Sequence, residues 1–343
     1  MDTRERLWGM VTGYWVSGVV RAVAELGIAE VLAARALGVE DIATWCGTDP
    51  SATARLLRAA VALDLVSFDE RTARFETTPL LDALRPDAPD SQYGIALGFT
   101  TPARFLPWAD LAQSVRTGER EAPKMLGAEL YEYLENHLEE GSHVTLAMTA
   151  TTVAAVRDVA PLIGTTAGEV VVDVGGAAGA FLHGVLALDP TLRGVVLELP
   201  QVAARAAALA WERGLLDRVT VVAGDFFARV PEGDLLVLKE VLSDWDDRQC
   251  VRILRNCAES LRPGGRVVVV EPLLGAIGDE PEDAALGDLD TLLHLPGRGR
   301  GVPEFERLFR LAGLRLAKVV PTAGRFHVLE AVTRKVVRIR NNG

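Results

Sequence analysis

From residue 169 onward, short runs of valine and leucine alternate with segments of helical character, and this alternation constrains the fold more than any other feature of the chain. The runs cover residues 169–174, 194–197, 219–223, 234–239 and 266–270. Continuous apolar strands separated by helices read as a parallel sheet covered on both faces, hence an α/β domain. Two later runs, 314–320 and 325–333, lie close enough in sequence to pair as a hairpin at one edge. With 343 residues the chain exceeds one ordinary domain. A second domain is therefore expected over residues 1–160, with the sheet domain at 161–343.

Residues 25–78 read as three short helices and a hairpin, the order of a winged helix. Asp49 and Pro50 mark a helix start, an N-cap followed by proline at the first helical position. Leu56, Leu57, Ala60 and Val61 then give one apolar face, and residues 66–68 and 75–77 make two short strands. A winged helix invites a nucleic-acid reading. The helix that would enter the groove carries only Arg55 and Arg58, and the net charge of −11 repels phosphates, so no nucleic-acid partner is expected. A polar connection at 86–91 leads to a mostly helical stretch, 97–160.

Near the start, Trp8, Val11, Trp15 and Val19 recur at helical spacing, which predicts a helix that packs one face on another surface. The uncharged stretch 7–20 is too short to span a bilayer, and Asp2 and Glu5 precede it, so neither a membrane span nor a signal peptide is expected. Cys46, Cys250 and Cys257 are too scattered for a disulfide framework and form no CxxC pair. A reducing cytoplasm fits them.

The run EVVVDV ends in Gly175-Gly176-Ala177-Ala178-Gly179. Glycines at such a turn let the backbone approach a ligand closely, and ligands of α/β sheets bind beyond the carboxyl ends of the strands. A nicotinamide dehydrogenase also places glycines here, but in the spacing GxGxxG. Acids at successive strand ends separate the two readings. Glu198 ends the second strand, where a carboxylate accepts hydrogen bonds from ribose hydroxyls. Asp225 follows the third and suits an adenine amine, and Phe226 beside it offers a ring to stack on the base. Asp173 would repel a pyrophosphate, whereas a cationic sulfonium with an α-amino group suits an acidic site. The charges favour S-adenosylmethionine (SAM) over NAD, with Asp173, Gly175, Gly176, Gly179, Glu198, Asp225, Phe226 and Lys239 as the expected cofactor residues.

Taken together, GYWVSG, RLLRAAVALDLV, DVGGAAG, ELP, GDFF, LKEVLSDWDD, LRPGG and GRGR resemble the small-molecule methyltransferases typified by plant phenolic and actinomycete polyketide O-methyltransferases. The resemblance covers nearly the whole chain. It implies a Rossmann-like SAM-binding domain behind an N-terminal helical, winged-helix-like domain that forms a homodimer and partly closes the partner's site. Ala177 stands where the family usually has glycine, a change tolerable if the residue keeps a negative φ.

The acceptor site departs further. The family normally carries His-Asp-Trp after the fourth strand, the histidine taking the acceptor's proton; here the triplet is Ser243-Asp244-Trp245. Serine has no usable pKa for that work near neutrality. Gly299 stands where the family has a glutamate orienting the histidine, and the second supporting glutamate, matched by Glu330, has no histidine to support. His294 appears in the run LDTLLHLP, where leucine is usual. Its ordinary reading is a satisfied core residue, but the alignment points it at the pocket of Ser243 and Asp244. Imidazole with carboxylate suits zinc or non-haem iron. Ser243, Asp244 and His294 are thus expected as metal ligands and catalytic residues, with the metal activating an α-keto acid for methylation at its β-carbon. This resembles the metal-dependent α-keto acid C-methyltransferases of peptide-antibiotic pathways. Methylation of a phenolic or polyketide hydroxyl is the first alternative, and a non-catalytic SAM-binding or regulatory protein the second.

Overall fold

In the computed structural model, which describes residues 2–279 and 281–334, the chain divides into two units. The first comprises residues up to Ala109 together with Ala122–Thr151, the second Asp110–Glu121 and the chain from Thr152 onward.

In the first unit the stripe of Trp8 and Trp15 lies on α1 (Thr3–Glu25), which is longer at both ends than the stripe itself. There follow α2 (Ile28–Ala33), α3 (Val39–Cys46) and α4 (Pro50–Ala62), then a hairpin of β1 (Ser67–Asp69) and β2 (Arg74–Glu76). Asp49 caps α4 as its sequence position predicts, its carboxylate accepting the Ala52 N–H at 2.8 Å. Ile28, Leu32, Ile42, Leu57 and Leu81 fill the core between these elements. Trp8 and Trp15 stay outside it, 64% and 52% exposed. No helix among the described residues is long and apolar enough to cross a membrane.

In the second unit, β3 (Val170–Val174), β4 (Arg193–Glu198), β5 (Val219–Ala223), β6 (Gly233–Lys239), β7 (Leu261–Glu271), β8 (Leu314–Pro321) and β9 (His327–Thr333) form one sheet. Its order is β5-β4-β3-β6-β7-β9-β8. The first five strands in sequence run parallel, and β9 is antiparallel to both β7 and β8, the edge hairpin that the two late runs predict.

Alternation decides which side chain serves which face. Val267 and Val269 of β7 pack with Ile253, Leu254, Phe305 and Phe309 of the helices Asp247–Ser260 and Val302–Leu311. Val268 and Val270 face the opposite core with Phe181, Leu182 and Ala206 of the helices Ala180–Leu186 and Pro200–Glu212. Each such valine or leucine contributes about 1.5–3 kcal/mol by leaving water. Cys250 and Cys257 are small residues of the first of these cores. The chain leaves β3 toward β4 on one side and returns to β6 on the other, so strand order reverses between β3 and β6. Loops diverging at such a reversal open the crevice where α/β sheets hold ligands.

Candidate cofactor and acceptor site

The turn after β3 is shaped by backbone that only some residues tolerate. Gly175 and Gly179 have φ of +72° and +79°. The Gly175 N–H reaches the Leu197 carbonyl at 2.9 Å, and a methyl on Gly176 would come within 2.6 Å of the Asp173 carboxyl. Ala177 does not keep the negative φ expected of it but takes +48°. The left-handed turn aims its N–H at Glu198 Oε2, 2.8 Å away. This charged hydrogen bond offsets a backbone strain of about 1–2 kcal/mol.

Glu198 ends β4, as expected, and its other oxygen accepts the Leu199 N–H at 2.8 Å. A carboxylate has about four lone-pair directions, so two remain for hydroxyls of a ligand. Asp225 follows β5; its Oδ1 accepts the Phe227 N–H at 2.7 Å. Phe226 borders the glycine turn, 3.4 Å from where a Gly175 methyl would stand. Phe226 and Phe227 both meet Trp245 edge-on, at 6.0 and 4.8 Å between centroids. This is an aromatic wall of the kind a flat base packs against.

Asp173 is buried and its Oδ2 has no hydrogen-bond partner. Burial pushes its pKa up to about 7, against the pull of Lys239, while the Glu198 charge pushes it further up. Lys239 stands 2.5 Å from Glu240 Oε2. A buried acid with an orphaned oxygen, a lysine close by and a carboxylate with lone pairs to spare fit the amine, carboxylate and ribose of SAM.

The segment after β6 carries the residues expected to meet the acceptor. Glu240 has φ of +51°, and its carboxylate bonds both Lys239 and Arg325. Val241 lies against the glycine turn, 3.2 Å from a methyl built on Gly175. A single turn, Leu242–Asp244, then presents Ser243 and Asp244. Arg300, only 1% exposed, holds this turn from below: its guanidinium donates to the Leu242 carbonyl at 2.8 Å, the Trp245 carbonyl at 2.7 Å and Asp247 Oδ1 at 3.1 Å. Gly297 lets the chain pass so close that any side chain there would collide with the backbone of Ser243 and Asp244. Beneath Ser243 lies Glu271, the last residue of β7 and 1% exposed, whose Oε1 accepts the Ser243 N–H at 3.2 Å. Burial raises its pKa to about 8, with Glu240 and Asp244 raising it and hydrogen bonds from the Ser243 backbone and side chain lowering it. Arg300 and Glu271 have no place in the sequence reading. Glu271 had the same signal as Glu198, an acid closing an apolar strand.

His294 ends the helix Glu282–His294 and is fully buried. Its Nδ1 lies 2.8 Å from the Asp290 carbonyl of its own helix, and its Nε2 has no partner. Nothing in the site supports the expected metal. Among the described residues no group of three or more His, Cys, Asp or Glu side chains is placed to hold an ion. The imidazole is turned back onto its helix, which leaves one buried nitrogen, and a serine hydroxyl is a poor donor to zinc or iron. The residues therefore do not fit the metal expected of them. At Gly299 the space a side chain would enter is taken by Leu274 and the Asp288 carboxylate, at 2.9 and 3.1 Å from a built methyl, so no glutamate could stand there unchanged. His183 is buried with both ring nitrogens unpartnered, and burial holds its pKa down at about 4, a packing role.

Comparison with known proteins gives matches over nearly the whole chain. A family model described as the O-methyltransferase domain matches residues 108–315, and one described as the O-methyltransferase dimerisation domain matches residues 8–84. The chain is 33% identical to phenazine O-methyltransferase PhzM of Lysobacter antibioticus, with 94% of each chain covered. It is 35% identical to 3-amino-4-hydroxybenzoate 4-O-methyltransferase of Streptomyces cremeus, covering 96% of this chain and 90% of that one. Among solved structures, LaPhzM superposes with a TM-score of 0.91 at 32% identity, over 97% of this chain and 100% of that one. NcsB1 from neocarzinostatin biosynthesis, in complex with SAM and 2-hydroxy-5-methyl naphthoic acid, gives 0.77 at 29% identity, over 93% and 96%.

Proposed function

The chain belongs to the O-methyltransferase family, and from that premise we propose that this SAM-dependent methyltransferase methylates a hydroxyl oxygen on a small aromatic molecule of natural-product biosynthesis. SAM supplies a methyl group on a positively charged sulfur. Around it Glu198 takes the ribose hydroxyls, Asp225 and Phe226 the adenine, Lys239 the carboxylate and Asp173 the amino group. The observation that carries the reading is the row of acids at adjacent strand ends, Asp173, Glu198 and Asp225, with the orphaned oxygen of Asp173 among them. Such a row repels a phosphorylated cofactor and attracts a cationic one. The hydroxyl acceptor is supported by relatives whose names specify oxygen on aromatic rings.

Methylation of an α-keto acid at carbon, which the sequence favours, depends on a metal, and among the described residues no group of three or more His, Cys, Asp or Glu side chains is placed to hold one. Pairing of two chains through the first unit is supported by the dimerisation-domain match and by the exposed tryptophans of α1. Three unpaired cysteines support a reducing compartment such as the cytoplasm.

The test is turnover of SAM with a panel of phenols, aryl amines and α-keto acids, with and without chelator, read by mass and NMR. O-methyl products indifferent to chelator are expected. Products on carbon, lost on chelation, would restore the metal reading; exclusive N-methylation would replace oxygen by nitrogen; no product with any acceptor would favour the non-catalytic alternative.

A further inference from the structure

We propose that Ser243 and Glu271 form a proton relay in which the acceptor's hydroxyl proton passes to Ser243 Oγ while the serine's own proton passes to the Glu271 carboxylate. The inference rests on the hydroxyl-acceptor reading above. A hydroxyl attacking a sulfonium methyl must lose its proton, and the turn after β6 offers no imidazole to take it.

Glu271 sits where that proton can go. Its Oε1 accepts the Ser243 N–H at 3.2 Å, so the serine lies directly over the carboxyl, and the serine side chain is near enough to lower the carboxyl's pKa. Ser243 is half-buried, whereas Glu271 is closed off from solvent. The serine is thus the one of the pair that a substrate can touch. Both positions are held rigidly. Arg300 fixes the carbonyls on either side of Ser243 and Asp244, Gly297 packs against the same backbone, and Val241 sets the segment beside the glycine turn that the methyl donor would occupy. A relay needs such fixation, because proton transfer demands hydrogen-bond distance at each step.

The surroundings tune the carboxyl for the work. Glu240 and Asp244 push its pKa up, Cys250 lies near enough to feel its charge, and His327 faces it across the β7–β9 ladder. Burial chiefly, with the charges of Glu240 and Asp244, brings it to about 8, within reach of phenols near 10 and far better matched than an ordinary glutamate near 4. In the transfer step the oxygen–methyl bond forms as the methyl–sulfur bond breaks. The electron pair stays on sulfur, which becomes a neutral thioether, and the proton ends on Glu271. It returns to solvent by the same path once the product has left.

The experiment compares wild type with Glu271→Gln, Ser243→Ala and the double variant. Two acceptors on one scaffold are used, the phenol that wild type methylates and a nitro-substituted analogue already ionised at assay pH. For the un-ionised phenol, kcat should fall by about 10²–10⁴-fold in each single variant and no further in the double one. The ionised phenol should lose less than about threefold, and SAM affinity by calorimetry should not change. Wild-type kcat should rise with pH through a limb near 8 that both variants lack. Glu271→Asp should recover part of the rate. If Glu271→Gln does not fold, Ser243→Ala reads the same limb. A variant that keeps the limb, or equal losses for both phenols, overturns the relay alone. Wild type that methylates no hydroxyl overturns the parent reading, and this is seen before any variant is made.

Discussion

Asp173→Asn should make the protein more stable without SAM and worse at binding it, and the sizes follow from one number. The carboxyl's pKa stands at about 7 rather than 3.8, chiefly through burial. That difference corresponds to about 4 kcal/mol against the ionised form in the folded chain. Between these two values the unfolded chain binds fewer protons than the folded one, so this contribution to stability falls as pH rises from about 4 to 7. The full penalty is present above that window, and the asparagine removes it. Binding runs the other way. If the cationic amine of SAM requires the carboxylate, affinity should fall about tenfold between its plateau and pH 6, where only about a tenth of Asp173 is ionised. Binding should then release close to one proton at pH 6 and about half a proton at pH 7. Above pH 8 the α-amino group of SAM itself loses its charge, and affinity falls again. Calorimetry in buffers of different ionisation enthalpy counts the protons directly. In Asp173→Asn the slope between pH 5.5 and 7 should vanish, and affinity at pH 7.5 should drop by about 1.5–3 kcal/mol, the worth of a hydrogen bond to a charged group. No proton release at pH 6, or an unchanged slope in the variant, would refute this account of the acid.

Glu198→Ala should weaken SAM binding by about 1.5–3 kcal/mol, and its apo stability should fall too, because the carboxylate also holds the Ala177 and Leu199 N–H groups; unchanged affinity by calorimetry would remove Glu198 from the site. Ala177→Gly should stabilise the protein by about 0.5–1 kcal/mol, relief of left-handed strain less the added freedom of the unfolded chain, and a lower denaturation midpoint would show that the φ of +48° is not strained. Trp8→Glu, placed on the exposed stripe of α1, should give a monomer by light scattering at micromolar concentration where wild type gives a dimer; a dimer in both would move the interface elsewhere.

The sheet was legible because its signal is local. A run such as 235–238 is apolar throughout only if both faces are covered, and β6 lies in the middle of the sheet. The acids at the strand ends were legible for the same reason, since position at a strand end can be read without knowing which strands are neighbours. The acceptor site was not. Glu271 matters because β7 lies beside β6 and brings it under Ser243, a relation between residues 28 apart. Arg300 enters the sequence reading only as part of the motif GRGR, and only the fold shows it buried against the carbonyls of Leu242 and Trp245. His294 misled in the opposite sense: lying in LDTLLHLP it looks out of place, yet its own helix supplies the Asp290 carbonyl as partner. The fate of Ala177 also turned on a long-range contact, its N–H finding Glu198 on the next strand.

What links these residues is the charge the sheet edge carries before anything binds. Asp173 at the end of β3 and Glu271 at the end of β7 are both buried, both shifted upward by burial, and each is pushed further by another acid, Glu198 for the first and Glu240 for the second. Buried charge of this kind costs stability unless a cation neutralises it. The two acids then divide the labour by location. Asp173 flanks the glycine turn and has an oxygen with no partner, which a cationic amine would satisfy. Glu271 lies under a serine, with Glu240 already committed to Lys239 and Arg325, so the positive charge that reaches it is a proton. If that division holds, the double variant Asp173→Asn with Glu271→Gln should be more stable without ligand than either single variant, because each substitution removes the penalty of one buried acid. It should also lose SAM affinity no further than Asp173→Asn alone. Denaturant unfolding and calorimetry on the four proteins measure both quantities. A double variant that binds SAM markedly worse than Asp173→Asn would mean that Glu271 belongs to the cofactor site and not to the acceptor.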